Sequence, residues 1–342
     1  MQSPADIESL ELGHKVPWRV RLRAWWEGYD VGPLLERGHD EGGVHSGDPD
    51  HREADHGGGY GGGGAVQAHG QQEAGGGATA APKKPLWSAG RIEVVERIWG
   101  KGFSTPGGDE HIPYLIKPFG LTSAMSVLDL AAGLGGAARF MAKTSGAWVT
   151  GFEGDRLLAK AAQERSLTAG LEKKATVSPY DPENFELKQR FDCVFAKEGF
   201  FAVASKDRLL DVIHGALKPR GQLCFTDYVL ADSANPSHPG LTQWAEHEPA
   251  PPHPWSVRDY VRGLEGRGFD LRTSEDITDQ HRKMVLDAWA GFAEVLRDHK
   301  PSKGTLLELV SEAELWARRV IALQSGLRVY RFYALKPGDA PQ

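Results

Sequence analysis

Residues 126–142, SVLDLAAGLGGAARFMA, hold the pattern that decides the fold. The apolar run that ends around Asp129 is typical of a buried strand, and the Ala-rich stretch behind it is typical of a helix. The turn between them contains Gly133, Gly135 and Gly136, which tolerate positive φ and let a ligand approach the backbone closely. This order of strand, glycine turn and helix predicts a nucleotide-type site at a helix N-terminus, where backbone amides are free to donate.

An acidic residue follows the turn at the distance expected for a ribose-containing ligand. Glu153 comes 20 residues after Gly133, at the end of the next predicted strand, where a carboxylate can accept hydrogen bonds from both ribose hydroxyls. Asp129 would repel the pyrophosphate of a dinucleotide, but it can hold the ammonium group of a methionine moiety. The charges therefore favour S-adenosylmethionine (SAM) over NAD as the cofactor.

Further apolar runs predict the other strands, and helix-period segments lie between them. The segments 155–170 and 206–221 are predicted helices, and 281–299 and 305–326 are two amphipathic helices before the last strand. Strands that alternate with helices predict an α/β fold, with a doubly wound, mostly parallel sheet. The remaining predicted strands are AWVTGFE (147–153), DCVFA (192–196), QLCFTDYVL (222–230) and LRVYRFYAL (327–335).

Composition excludes several classes of function. The 342 residues include 40 Lys+Arg and 46 Asp+Glu, for a net charge of −6, and no basic block indicates a nucleic-acid partner. No apolar run reaches the ~18 residues that a membrane span needs, and the acidic start is unlike a signal peptide. Two cysteines, Cys193 and Cys224, cannot form a disulfide framework, so we expect a cytoplasmic protein in which both are core residues.

The chain divides into three parts. Residues 1–37 predict a helical segment with a Trp pair, which either packs on the main domain or docks a protein partner. Residues 38–85 are rich in Gly, His and Asp and predict a flexible linker; we expect no metal site there, because a floppy loop fixes no ligand geometry. Residues 86–337 predict the α/β domain.

Six segments in order along this domain carry a resemblance to a known family. They are WGKGFSTPGG (99–108), VLDLAAGLGG (127–136), VTGFEGD (149–155), FDCVFAKEGFFAV (191–203), HGALKPRGQLCFTDYVL (214–230) and LRVYRFYALKP (327–337). The domain resembles the class I SAM-dependent methyltransferases, and within them the small-molecule branch of phosphoethanolamine and sarcosine N-methyltransferases. The resemblance implies a seven-stranded Rossmann-like sheet, SAM as cofactor, and methyl transfer to a small molecule such as an amine or a lipid head group.

By motif position, the resemblance also implies which residues bind the cofactor. Those at the glycine turn would line the methionine part, Glu153 would bind the ribose, and two residues after the third strand would contact the adenine. The implied cofactor-binding residues are Asp129, Ala131, Gly133, Gly135, Glu153, Tyr180 and Asp181.

Catalytic candidates follow the fourth strand. Lys197 and Glu198 would face the methyl donor by resemblance, and Tyr228 of the next predicted strand joins them as the third catalytic candidate. An amine acceptor must lose a proton before it attacks. The candidates for the base are Glu198, Tyr228, His111 and His238. His238 lies in a Pro-rich loop that is either a lid over the pocket or a surface crossover.

The chain departs from the phosphoethanolamine enzymes at two places. Segment 94–99 contains no tyrosine, and Ala202 stands near the position of an expected histidine, so the Tyr–His pair of those enzymes is missing. The resemblance therefore does not fix the acceptor. The alternative function is a SAM-binding regulator or adaptor without turnover that acts through its N-terminal segment. A weaker rival, an NAD-linked oxidoreductase, would have to bind NADH.

Overall fold

The computed structural model describes residues 86–298 and 302–338. The predictions for residues 1–37 and 38–85 lie outside this range. Seven strands form one sheet: β1 (Ser126–Leu130), β2 (Trp148–Glu153), β3 (Ala175–Pro179), β4 (Phe191–Lys197), β5 (Leu217–Leu230), β6 (Asp270–Asp276) and β7 (Leu327–Leu335).

The sheet confirms the predicted doubly wound architecture. Its strand order is β3-β2-β1-β4-β5-β7-β6. Every neighbouring pair from β3 to β5 is parallel, whereas β7 runs antiparallel to both of its neighbours. The chain reverses its direction of travel across the sheet next to β1, and ligands of such sheets bind at the carboxyl ends of the strands on either side of that point.

Helices cover both faces of the sheet. They are α1 (Ala89–Trp99), α2 (Gly108–Ile116), α3 (Gly136–Ser145), α4 (Arg156–Thr168), α5 (Lys206–Ala216), α6 (Pro239–His247), α7 (Val257–Glu265), α8 (Thr278–Asp298) and α9 (Lys303–Gln324). The two predicted helices before the last strand are thus α8 and α9. Within the described ranges, no helix is both long and apolar enough to span a bilayer.

One predicted helix is too long. The segment 206–221 was expected to be helical throughout, but α5 ends at Ala216 and β5 begins at Leu217, which pairs with Phe191 of β4. Pro219 explains the difference, because proline lacks the N–H that a helix would need and clashes with the preceding turn.

The central strands are buried on both faces, as their continuous apolar sequences predict. On one face, Leu128, Val194 and Phe225 pack with Leu209 of α5 and Leu264 of α7. Elsewhere, α2 contacts β5, α8 and α9 contact β7, and α1 packs on both α8 and α9.

Candidate active site

The turn after β1 has the backbone geometry that its glycines allow. Ala131, Gly133 and Gly135 have φ values of 60°, 55° and 72°, and Gly135 is the N-cap of α3. A Cβ atom on Gly136 would lie only 2.6 Å from the carbonyl oxygen of Gly102. The start of α3 therefore lies directly against the loop that precedes α2.

Asp129 is buried where β1 ends and is 1% exposed. Burial, and to a smaller extent the charge of Glu153, raises the pKa of its carboxyl group to about 8. Its Oδ2 atom has no hydrogen-bond partner, and the residue lines one cavity with the glycine turn, the loop 102–105 and Lys197. A buried carboxyl oxygen without a partner costs free energy, so this position fits a cationic group of a ligand.

Glu153 ends β2 beside the same turn. Its Oε2 accepts a hydrogen bond from the backbone N–H of Gly133 at 2.7 Å, and its Oε1 accepts one from Asp155 at 3.0 Å. Burial raises the pKa of Glu153 in spite of these hydrogen bonds. The sequence spacing thus brings the carboxyl group and the turn into direct contact.

Tyr180 and Asp181 follow β3 next to the end of β2. The Tyr180 N–H donates to the carbonyl oxygen of Glu153 at 3.1 Å, and its ring packs between Phe152 and Phe185, with centroid distances of 5.6 Å and 5.0 Å. Asp181 is exposed. Their contact with an adenine ring stays a prediction.

Lys197 and Glu198 form a buried ion pair at the end of β4, with 3.1 Å between Nζ and Oε1. Lys197 Nζ also donates to Thr105 Oγ1 at 2.6 Å and to the Pro106 carbonyl at 2.7 Å. Glu198 adopts a φ of 54°, and its N–H donates to the Thr226 carbonyl at 2.7 Å. Neighbouring backbone on two sides therefore fixes the pair.

The carboxyl group of Glu198 is ionised in this setting. Burial by itself would raise its pKa, but the charge of Lys197 and then the contacts of His281 hold the pKa well below its ordinary value. Oε1 faces Lys197 and lies 3.4 Å from Nδ1 of His281, whereas Oε2 has no hydrogen-bond partner. One charged oxygen is therefore available to a second ligand next to the cofactor cavity.

Tyr228 of β5 contacts His281, which lies in the first turn of α8. The hydroxyl oxygen of Tyr228 is 3.1 Å from Nε2 of His281. Burial, followed by the charge of Glu198, raises the pKa of Tyr228 well above its ordinary value, so the phenol stays protonated. The carboxylate of Glu198, 3.4 Å from Nδ1 of His281, favours the tautomer with its proton on Nδ1, in which Nε2 accepts from the Tyr228 hydroxyl.

Sequence reasoning gave His281 no role. It is 53 positions away from Tyr228, and only the packing of α8 against the sheet brings the two together. A lone histidine near the start of an amphipathic helix carries no local signal of this contact. His238, one of the four candidate bases, caps α6, where its Nδ1 accepts the Gly240 N–H at 3.1 Å.

Aromatic rings continue from His281 into the helical layer. The ring centroids of His281 and Trp316 are 6.3 Å apart, and those of Trp316 and Trp99 are 4.5 Å apart. Arg319 lies 4.6 Å from the Trp316 ring and makes two hydrogen bonds to Glu248, at 2.7 Å and 2.8 Å. This network holds the aromatic side of the site in place.

The residues around the glycine turn fit SAM. The unpartnered Oδ2 of Asp129 matches the ammonium group of the methionine moiety, and Glu153 matches the ribose hydroxyls. The N-terminus of α3 offers backbone N–H groups for the carboxylate. Lys197 lines this cavity and is paired with Glu198, so the cavity adjoins the unpartnered oxygen of Glu198 at the end of β4.

Comparison with known proteins agrees with this geometry. Residues 127–221 match a family model described as a methyltransferase domain. Over 190 residues the chain is 25% identical to phosphoethanolamine N-methyltransferase 1 of Triticum aestivum, covering 56% of this chain and 37% of that protein. Over 115 residues it is 32% identical to the glycine/sarcosine/dimethylglycine N-methyltransferase of Actinopolyspora halophila, covering 33% and 20% of the two chains.

A similar solved structure is that of phosphoethanolamine N-methyltransferase 2 of Haemonchus contortus in complex with SAM. Its TM-score is 0.64 at 23% identity, and the match covers 72% of this chain and 56% of that one. The chain thus spans well under two thirds of the length of these relatives. Its sheet order, its glycine turn with the two acidic partners and the match of residues 127–221 to a methyltransferase domain together support a class I SAM-dependent methyltransferase.

Proposed function

We propose that the chain is an active SAM-dependent methyltransferase whose acceptor is a small molecule with an amine nucleophile, either free or in a lipid head group. The observation that carries this proposal is the ionised, unpartnered Oε2 of Glu198. It belongs to a buried carboxylate next to Lys197, which also lines the cofactor cavity. A buried carboxylate with a free oxygen attracts a cationic or N–H-bearing group.

The surroundings of Glu198 support an amine over an anionic acceptor. The ammonium group of Lys197 already has three partners: Thr105, the Pro106 carbonyl and Glu198 itself. Its three N–H donors are therefore engaged, and an anion would have to displace one of these partners. The rings of Trp316 and Trp99 lie beyond His281, and aromatic faces attract cations.

The chemistry needs positioning and one proton transfer. When bound, SAM supplies an electrophilic methyl group, and an attacking nitrogen forms the new bond to its carbon as the carbon–sulfur bond breaks. The chain's own residues hold the acceptor nitrogen at near-attack distance in a site from which water is largely excluded. An amine that arrives protonated must first give up a proton to a base.

Two of the relatives support the same acceptor class. The two curated proteins described above are named for the methylation of phosphoethanolamine and of glycine, sarcosine and dimethylglycine. All of these acceptors present a nitrogen nucleophile. The missing Tyr–His pair at residues 94–99 and 202 leaves open which of these amines, or what other amine, this chain accepts.

The test is turnover by the full chain with SAM and four candidate acceptors in turn: phosphoethanolamine, glycine, sarcosine and vesicles of phosphatidylethanolamine. The readout is S-adenosylhomocysteine (SAH), measured by mass spectrometry. We expect methylation of at least one amine, reduced roughly 30-fold or more in Glu198→Gln, because truncating a buried charged contact costs about 2–5 kcal/mol. Glu164→Gln, on the exposed side of α4, is the matched control.

Binding of SAM and SAH without methylation of any of the four acceptors would exclude these four amines as its substrates. That result would favour the alternative of a cofactor-binding regulator. Equal turnover by Glu198→Gln and the unchanged chain would remove Glu198 from the acceptor site.

A further inference from the structure

His111 is a buried residue of α2 whose ring nitrogens make no hydrogen bond. It is 5% exposed, and both of its ring nitrogens are buried without a hydrogen-bond partner. Its ring stacks on Tyr114, with centroids 5.6 Å apart and planes inclined by 14°. In a buried imidazole at least one nitrogen normally makes a hydrogen bond, so the absence of any hydrogen bond to His111 needs an explanation.

The register of α2 against the sheet shows where His111 lies. Three contacts, made by the turn after α2 and then by α2 itself, follow β5 toward its carboxyl end. The third is made by Arg331 of β7, which is paired with Thr226 of β5. These contacts are Gln222 Nε2 to the Phe119 carbonyl (3.0 Å), Cys224 Sγ to the Leu115 carbonyl (3.3 Å) and Arg331 Nη1 to the Tyr114 carbonyl (3.2 Å). The preceding turn of α2, which carries His111, is therefore at the end of β5 where Tyr228 and His281 meet.

The charges around His111 identify the same place. Burial, followed by the charge of Lys197, lowers the pKa of His111 to about 4, and the other groups that act on it are Glu198, His281 and Arg331. The imidazole is therefore neutral at pH 7 and keeps one nitrogen lone pair. It shares this setting with the second unpartnered atom, Oε2 of Glu198.

Oε2 of Glu198 and the ring nitrogens of His111 are buried without hydrogen-bond partners, and the charge of Glu198 acts on His111. Together they indicate a missing group that carries N–H bonds. His281 is less accessible to such a group, because its Nε2 faces Tyr228 and its Nδ1 faces Glu198. His111 has neither nitrogen engaged. A protonated amine would satisfy both unpartnered groups at once, with one N–H directed to Glu198 and another to His111.

We propose that His111 is a further catalytic residue, the base that removes the proton from the acceptor nitrogen, while Oε2 of Glu198 holds the same nitrogen. This inference rests on the proposed function. The N–H bond breaks, its proton moves to a ring nitrogen of His111, and its electron pair stays on the acceptor nitrogen. That pair then forms the bond to the transferred methyl carbon. The charge of Glu198 favours the imidazolium that results, whereas burial and the charge of Lys197 oppose it.

The test compares two cofactor analogues, so it needs no knowledge of the acceptor. SAH carries nothing at the position of the transferred methyl group, whereas sinefungin carries a protonated amine there. Calorimetry with the full chain should show that sinefungin binds more tightly than SAH, because its N–H groups reach His111 and Glu198. His111→Phe keeps a ring of similar size without nitrogens. In it we expect the preference to fall about tenfold, with the affinity for SAH unchanged.

Two further variants complete the experiment. His111→Gln keeps a hydrogen-bond acceptor and should retain part of the preference for sinefungin. Tyr114→Phe keeps the ring that stacks on His111 and loses only the hydroxyl bond to Glu275, so it should keep the full preference. The unchanged affinity for SAH shows that each variant is folded.

A full preference for sinefungin in His111→Phe would overturn the proposal, and so would equal affinities for SAH and sinefungin in the unchanged chain. Failure of the unchanged chain to bind SAH at all would instead overturn the proposed function on which the inference rests. The two failures are therefore distinguishable.

Discussion

Three buried carboxyl groups at the site respond to burial in different ways. Asp129 and Glu153 have raised pKa values, since no cation in the described part of the chain is paired with either. Glu198 has a lowered pKa because Lys197 and His281 compensate its burial. A positive or hydroxyl-bearing ligand would therefore stabilise the ionised forms of Asp129 and Glu153, whereas Glu198 is charged before anything binds.

Proton release on cofactor binding tests the environment of Asp129. With a pKa of about 8, this group is mostly protonated at pH 7 in the ligand-free protein. An ammonium group bound beside it favours the ionised form and lowers that pKa. Binding of SAH should therefore release about one proton at pH 7, and affinity should rise with pH until about pH 8.

The measurement is calorimetric titration with SAH in two buffers of different ionisation enthalpy. Asp129→Asn cannot ionise, so it should bind more weakly and lose the buffer-dependent heat. Identical heats in both buffers for the unchanged chain would contradict a protonated Asp129.

At the scale of single elements, α3 depends on a close approach that no side chain permits. A Cβ atom on Gly136 would meet the Gly102 carbonyl at 2.6 Å and the Phe103 ring at 2.6 Å. We expect Gly136→Ala to push the loop before α2 away from the glycine turn, with a loss of roughly 1–3 kcal/mol in the free energy of unfolding and weaker SAH binding.

Gly215 of α5 offers the matched control. An added Cβ there meets nothing within 4 Å, so Gly215→Ala should stabilise the fold by about 0.5–1 kcal/mol and leave SAH binding unchanged. Chemical denaturation and calorimetry check both variants. Equal SAH affinity in Gly136→Ala and Gly215→Ala would show that the close approach does not shape the cofactor cavity.

Elements with a strong local signal could be predicted from the sequence. The strand predicted before the glycine turn is β1, and the bounds of β7 agree with the predicted ones. An apolar run before the turn specifies the first, and an alternation of buried and half-buried residues specifies the second. The early end of α5 at Ala216 was missed, although Pro219 carries the signal.

The candidate site was only partly predictable for a different reason. Glu153 could be placed beside Gly133 because the strand–turn–helix unit fixes that distance within a short segment. The contact of Tyr228 with His281, and the position of His111 over the end of β5, depend on how α8 and α2 dock on the sheet. No local pattern in the sequence encodes those long-range contacts.

At the scale of the whole molecule, the residues that the structure describes contain two larger apolar clusters. They are formed by the sheet with α5, α6, α7 and α9. We therefore expect a chain that starts at residue 86 to fold cooperatively and to bind SAH with the affinity of the full chain. Thermal unfolding and calorimetry are the measurements, and loss of SAH binding in the shortened chain would contradict this expectation.

The most direct test of the central claim, that residues around the glycine turn bind SAM, is calorimetric titration of the full chain with SAM and SAH, with NADH as a control. We predict that both adenosyl ligands bind and NADH does not. In Glu153→Gln both affinities should fall roughly 10- to 100-fold, because a charged acceptor of the ribose hydroxyls is lost, whereas Glu164→Gln should bind as the unchanged chain does. Binding of NADH without SAM or SAH, or full affinity in Glu153→Gln, would contradict the account.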